Sequence, residues 1–315
     1  MSAPGPIVTQ DYATADLESG PRPRNAAEGN AFMRFIGRTP VHIAIIALCV
    51  LWMIPTIALL VSSFRESQAV ANSGWWTALT PPFEFTLDNY QRVLDTNNLG
   101  QSFVNSLFVT IPATVIPIFV AAFAAYAFAW MEFPGRGVLF MLVVGLLVIP
   151  LQSALIPVLQ LFTSVRIGDQ SLNGTFLAIW LAHTGFGLPF AIYLLRNFFG
   201  ALPREMFESA YIDGASPVTA FFRLALPTSV PALAALAIFQ FMWVWNDLLI
   251  ALIYLGGTPS VAPLTVTIAN LVGSLGQAQH LLTAAAFISM ILPLIVFFTL
   301  QRYFVRGILG GSVKG

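Results

Sequence analysis

One carboxylate, Asp247, stands inside the apolar stretch SVPALAALAIFQFMWVWNDLLIALIYL, Ser229 to Leu255. An Asp at the centre of a membrane helix costs about 2.5–3.5 kcal/mol, so it is expected to face a bundle interior or a wet cavity. Gln240 and Trp243 precede it by seven and four residues, on the same face if the helix is continuous. With Gln152, Gln160, His183 and Asn246 they are candidates for the lining of a polar path, the indole offering a stacking face. Each serves equally as an interhelical hydrogen bond worth about 1 kcal/mol. Asp247 with His183 would also suit a proton-coupled secondary carrier. No GxxxxGK phosphate loop or nucleophile elbow is present, and His42, His183 and His280 are too scattered for a metal site. Cys49 is the only cysteine, which excludes an intrachain disulfide. No enzyme and no bound cofactor are expected.

A second group lies in ALPREMFESAYIDGASPVTAFFRLALPTSVPAL, from Ala201. Its chemistry is that of two short helices meeting at a turn. Pro203 suits a first helical turn, and Glu205 lies at the positive end of the dipole. Phe207, Ala210, Tyr211 and Gly214 share one helical face. Asp213 and Gly214 break the helix, Ser216 with Pro217 starts the next, and Pro227 ends it. An amphipathic element of this kind either docks into a partner or packs on its own bundle.

The elements that position these residues follow from composition. Of 315 residues, 57% are apolar and 9% charged, against about 25% in an ordinary soluble domain. Mean hydropathy is +0.80, which excludes a water-soluble globule and leaves the bilayer as solvent. Net charge is zero with no basic run, so no nucleic-acid partner is expected. Six stretches reach the roughly 20 residues needed to cross a membrane: about Val41–Ser63, Ser102–Trp130, Gly137–Phe162, Gly174–Phe199, Ser229–Leu255 and Leu281–Tyr303. Without period-2 alternation, these are helices of an all-α polytopic membrane protein. Most carry proline: Pro55, Pro112, Pro117, Pro150, Pro157, Pro189 and Pro293. Such residues kink helices, and neighbours or water must satisfy the freed carbonyls.

Residues 1–40 read as a disordered cytoplasmic tail rather than a signal peptide, 41–303 as the permeating domain and 304–315 as a second tail. Within 64–101, an extracytoplasmic loop, PPFEF is loop-like and TLDNYQRVL a short surface helix capped by Thr86. With the N-terminus inside, eleven of the fourteen Lys and Arg are cytoplasmic, and only Arg65, Arg92 and Arg166 are outside. Both termini and the 200–228 loop then face the cytoplasm.

Glu208, Ser209, Ala210, then Asp213, Gly214, Ala215, and later Leu226 and Pro227, resemble the Glu-Ala-Ala loop of permease subunits of binding-protein-dependent ABC importers. The departure is Ser209, where the family usually has Ala; both are small. WNDLL from Trp245, TLDNYQRVL followed by FVNSL, and the terminal FVRGILGGSVKG are similar to the carbohydrate-uptake branch, maltose-permease G-type. The resemblance covers roughly residues 40–315. It implies a six-span type I importer permease fold with a cytoplasmic coupling loop, in a bacterial inner membrane. It also implies a sister permease, two ATP-binding subunits holding ATP and Mg2+, and an extracytoplasmic binding protein. The cargo would be a di- or oligosaccharide such as an α-glucoside, with a glycerol-phosphate diester or polyol as the alternative. The tail residues Gly310, Gly311, Val313, Lys314 and Gly315 would reach between the ATP-binding subunits, or simply fray. A purely structural scaffold is disfavoured by the same docking loop.

Overall fold

The computed structural model describes residues 26–95, 98–275 and 279–312, with backbone alone for 26–38, 272–275 and 303–312. The chain forms two compact units, divided between Thr56 and Ile57. Helix α1 (Ala26–Ser63) starts inside the segment read as tail, and its Thr39–Ser63 part is apolar and long enough to cross a membrane. Residues 1–25 lie outside the described residues.

After α1 come α2 (Ser67–Asn72), a 3-10 turn and α3 (Asp88–Asp95), which begins where Thr86 Oγ1 accepts the Asp88 amide at 3.1 Å. The long helix α4 (Leu99–Trp130) packs along α7 (Phe176–Gly200) in the most extensive helix pairing of this unit. Ala121, Ala122 and Ala125 meet Ala191, Ile192 and Leu195, small side chains that let two backbones approach where lipid supplies no hydrophobic drive. A short hairpin, β1 (Arg166–Ile167) with β2 (Gln170–Ser171), pairs Arg166 with Ser171 and leads into α7.

Two spans read as continuous helices are broken. The Gly137–Phe162 stretch divides into α5 (Arg136–Leu146) and α6 (Leu151–Ser164), inclined at 101°. Pro150 sits at the N-cap of α6, without an N–H to continue the ladder, and restricts the residue before it. The Ser229–Leu255 stretch is α11 (Val230–Trp245), an interruption at 246–248, and α12 (Leu249–Tyr254). Asp247 therefore lies in a break and not on a helical face with Gln240 and Trp243. An element not expected from hydropathy, α13 (Leu264–Leu275), precedes α14 (Gln279–Ser312). Segment 256–263 is held by Asn105, whose Nδ2 donates to the carbonyls of Ser260 and Ala262, both at 3.1 Å. Ser106 Oγ accepts the Leu264 amide at 2.8 Å.

Proline removes the N–H that would bond the carbonyl four residues earlier. Pro112 and Pro117 in α4 thus free Phe108 O and Ala113 O, and Pro293 in α14 frees Ser289 O. Each finds a side-chain donor from another helix. Trp180 Nε1 of α7 donates to Phe108 O at 2.9 Å, Gln240 Nε2 of α11 to Ala113 O at 3.1 Å, and Trp245 Nε1 of α11 to Ser289 O at 3.0 Å. Helices α4 and α14 are tied to their neighbours at the carbonyls that proline freed.

This pairing has a measurable signature. Trp245→Phe is expected to destabilise the protein by about 1 kcal/mol, by stranding the Ser289 carbonyl. In a Pro293→Ala background that carbonyl regains an intrahelical partner, and the hydrogen-bond part of the cost should vanish. Thermal unfolding of the two single variants and the double variant in detergent reads the non-additivity; strictly additive costs would exclude the pairing.

Candidate functional site

The 200–228 element consists of α8 (Arg204–Ile212), α9 (Pro217–Ala220), a π-helical turn at Phe221–Ala225 and α10 (Leu226–Thr228), after which the chain bends by 73° into α11. Pro203 is the N-cap of α8 and Glu205 lies in its first turn. Ser216 Oγ accepts the Thr219 amide at 3.1 Å, with Pro217 in the first turn of α9. The corner between the helices is a Schellman motif: Gly214 N bonds Tyr211 O at 3.0 Å, and Ala215 N bonds Ala210 O at 2.9 Å. Gly214 has φ +82°, which L side chains rarely adopt, while no atom lies within 4 Å of where its Cβ would be. Its requirement is conformational and not a close approach within the chain. Pro227 lies inside the last turn, so the helical run ends one residue beyond it.

The two readings of this element, docking and packing, divide between its faces. Phe207 is buried and stacks on Trp130 with ring centroids 3.9 Å apart, so the apolar face of α8 packs on α4. The corner is exposed: Glu208, Ser209, Asp213 and Gly214 face outward, with Ile212 86% and Val218 64% exposed. Ala210, Ala215 and Leu226 are half-buried and Pro227 is exposed.

A second cluster forms where α7 meets α11. Phe186, Gly187, Phe190, Phe239, Gln240 and Trp243 line a groove of about 270 Å³. Gly187 permits it, since a Cβ there would come within 2.8 Å of the Gln240 amide. His183, fully buried, meets Trp243 edge-on at 5.4 Å between centroids. Its Nε2 lies 3.7 Å from Asp247 Oδ2, and neither ring nitrogen has a hydrogen-bond partner among the described residues. Asp247 accepts the Ile250 amide at Oδ1 (3.2 Å) and the Ala251 amide at Oδ2 (2.9 Å), and its carbonyl accepts Thr265 Oγ1 at 2.6 Å. The carboxylate thus caps the first turn of α12 from the residue before its N-cap, Leu248.

Of the expected path residues, His183, Gln240, Trp243 and Asp247 come together around the α7–α11 contact. Asn246 is turned back, its Nδ2 bonding Met242 O at 2.7 Å. Gln152 and Gln160 are exposed on α6. Phe186, Gly187 and Phe190 were missed, although they follow His183 at the i+3, i+4 and i+7 spacing of one helical face. Val313, Lys314 and Gly315 lie outside the described residues, and only helical backbone is described for Gly310 and Gly311.

Residues 101–310, which include both the corner and the groove, match the family described as binding-protein-dependent transport system inner membrane component. The chain belongs to this family of ABC importer permeases. It is 56% identical over 288 residues to the osmoprotective compounds uptake permease protein GgtD of Synechocystis sp., covering 90% of this chain and 95% of the relative. It is 43% identical to the alpha-glucoside transport system permease protein AglG of Rhizobium meliloti, over 87% and 97% of the two chains. In fold it matches a chain of a bacterial ABC transporter that imports the acidic polysaccharide alginate. That match has a TM-score of 0.71 and 22% identity, over 86% of this chain and 97% of the other. The multi-pass permease thus carries its breaks within a known importer architecture.

For this permease, Asp247→Ala should remove both amide acceptors at the start of α12 and lower stability by about 1–2 kcal/mol. Asp247→Asn, which keeps one side-chain oxygen, should lose less. Thermal unfolding in detergent ranks them; equal losses would show that the capping bonds are not what Asp247 contributes.

Proposed function

We propose that the chain is one of two permeases carrying small neutral α-glucosides, osmoprotective ones included, into the cell. Two ATP-binding subunits supply the energy, and an extracytoplasmic binding protein delivers the cargo. The observation that carries the ATP-driven part is the exposed Schellman corner with bare Ile212 and Val218, apolar side chains on an element whose Phe207 anchors it to its own bundle. In this reading Glu208, Ser209 and Ala210 shape and charge the docking helix, Asp213, Gly214 and Ala215 form its corner, and Leu226 with Pro227 closes the element. ATP and Mg2+ belong to the partner. The corner and both termini lie on the cytoplasmic side, as the distribution of Lys and Arg favours.

The cargo class draws on the relatives, one named for alpha-glucosides and one for osmoprotective compounds. It draws also on the groove, where three Phe, one Trp and one Gln meet without a cation. A phosphodiester would call for Arg or Lys, and an open-chain polyol offers no ring face to stack; a glucoside suits both the aromatic walls and the amide. His183 meets Trp243 edge-on and has Asp247 beside it. Both Asp247 oxygens already bond α12 amides, which favours a capping role over that of a carrier's proton site.

Reconstitution of the whole complex in vesicles tests the reading, with maltose, trehalose, glycerol and a glycerophosphodiester as probes. Maltose or trehalose should accumulate with ATP hydrolysis and be indifferent to collapse of the proton gradient. Gly214→Val, strained by about 1–2 kcal/mol at its positive φ, should remain in the membrane, bind the ATP-binding subunits weakly and lose uptake. Uptake at the unmodified level by that variant, or uptake that stops with the proton gradient while ATP is held constant, would overturn the proposal.

A further inference from the structure

The 200–228 element is joined by peptide bonds only to α7 and α11. Its link to α4 is made through α4 side chains, and these are specific in their contacts. Phe123, Tyr126 and Trp130 lie at i, i+3 and i+7 on the last turns of α4 and form one face. Trp130 stacks on Phe207 of α8, rings inclined by 25°, while its Nε1 donates to Phe199 O near the end of α7 at 3.0 Å. The buried Tyr126 donates its hydroxyl proton to Pro217 O, the first residue of α9, at 3.1 Å. A phenol has one proton, so at the 3.3 Å contact with Tyr211 it is Tyr211 that donates and Tyr126 that accepts. One side chain of α4 therefore holds both arms of the corner, on either side of Gly214. The π-turn after α9 brings two consecutive aromatics to the same face: Phe123 lies 4.7 Å from Phe221 and 6.0 Å from Phe222.

Resting on the importer reading, we propose that Tyr126 and Trp130 are positioning residues for coupling: they carry the displacement of the corner into the second span. Neither touches nucleotide or cargo. Aromatic side chains suit the task, because two χ angles leave little slack and the polar tips fix orientation as well as contact. Through α4 the motion reaches Ala113, whose carbonyl is bonded by groove-lining Gln240. The path from corner to groove is then α9 and α8, Tyr126 and Trp130, α4, and Gln240.

The test uses the full complex with its binding protein in vesicles, the four probes named above, and a chain in which Cys49 is Ser. The readout is cargo accumulated per ATP hydrolysed. In Tyr126→Phe and Trp130→Ala the ATP-binding subunits should still co-purify and hydrolyse ATP, while the ratio falls by about tenfold, an ordinary magnitude for coupling between sites. Trp130→Phe keeps the stack on Phe207 and should retain most of the ratio. A Trp130→Cys/Phe207→Cys pair should lose the ratio and regain it when bridged by a short thiol-specific cross-linker. Tyr126→Phe changes no shape, so it stands as the test should Trp130→Ala fail to assemble. The proposal is overturned if uptake and hydrolysis fall in proportion, if the ratio is unchanged in both variants, or if the bridge abolishes uptake. Failure of the unmodified complex to bind ATP-binding subunits or to take up any probe would instead count against the importer reading.

Discussion

Backbone groups freed inside lipid have no water to turn to, and the placement of polar side chains in this permease follows from that constraint. Three prolines strand carbonyls in α4 and α14, and Trp180, Gln240 and Trp245 reach across from other helices to bond them. The same holds where the helices break. Asp247 takes the Ile250 and Ala251 amides in the first turn of α12, Thr265 bonds the Asp247 carbonyl, and Ser106 takes the first amide of α13. Tyr254 closes another gap, its hydroxyl donating to Leu155 O and its carbonyl accepting the Gly174 amide. A chain with 9% charged residues cannot scatter polar groups, and those named here are spent on backbone satisfaction.

The Trp245-Asn246-Asp247 run acquires a physical account on these terms. Trp245 ties α11 to α14, Asn246 turns back to Met242 O, and Asp247 restarts the helix three residues on. Together they end one helix and begin the next, with Asp247 supplying acceptors for two amides in the first turn of α12. The cost of an acid in the membrane, about 2.5–3.5 kcal/mol, is reduced by its two bonds to amides that a helix break would otherwise leave without an acceptor. Asp247 at the break is thus explained by helix geometry, with the His183 contact an added feature of its surroundings.

Much of the fold is legible in the sequence. Six apolar runs, Ser216 and Pro217 as a helix start, and Gly214 as a corner are local signals, set by residues within one turn of each other. The breaks were not legible. Averaged over a span-length window, hydropathy stays high across Asn246 and Asp247, since Leu248 to Leu255 is as apolar as what precedes them. Proline alone does not tell a break from a tolerated kink. Pro112, Pro117 and Pro189 sit in helices α4 and α7, whose buried faces hold them on course, whereas Pro150 follows α5, which buries no residue. The aromatic face at the end of α4 was invisible for a related reason: a helix apolar all round has no periodicity to mark which side meets a neighbour.

Where the second span is gripped also bears on which motions it can transmit. Tyr126 bonds α9 through Pro217 O and α8 through Tyr211, so a hinge at Gly214 that opened the angle between the arms would have to stretch one of these bonds. A rigid-body shift of the corner as a whole would stretch neither. The positive φ of Gly214 then reads as a fixed bend, set by a Schellman motif and braced from outside. Flexibility is better sought at the other end of the element. There the π-turn at Phe221–Ala225 and the 73° bend before α11 fall between Pro217 and Pro231, and the buried Ser229 hydroxyl has no hydrogen-bond partner among the described residues. Under the proposed coupling, an element braced at its corner and less supported at its junction with α11 would move with α4 and pivot on α11, the geometry that would widen or narrow a groove lined by α11 on one side.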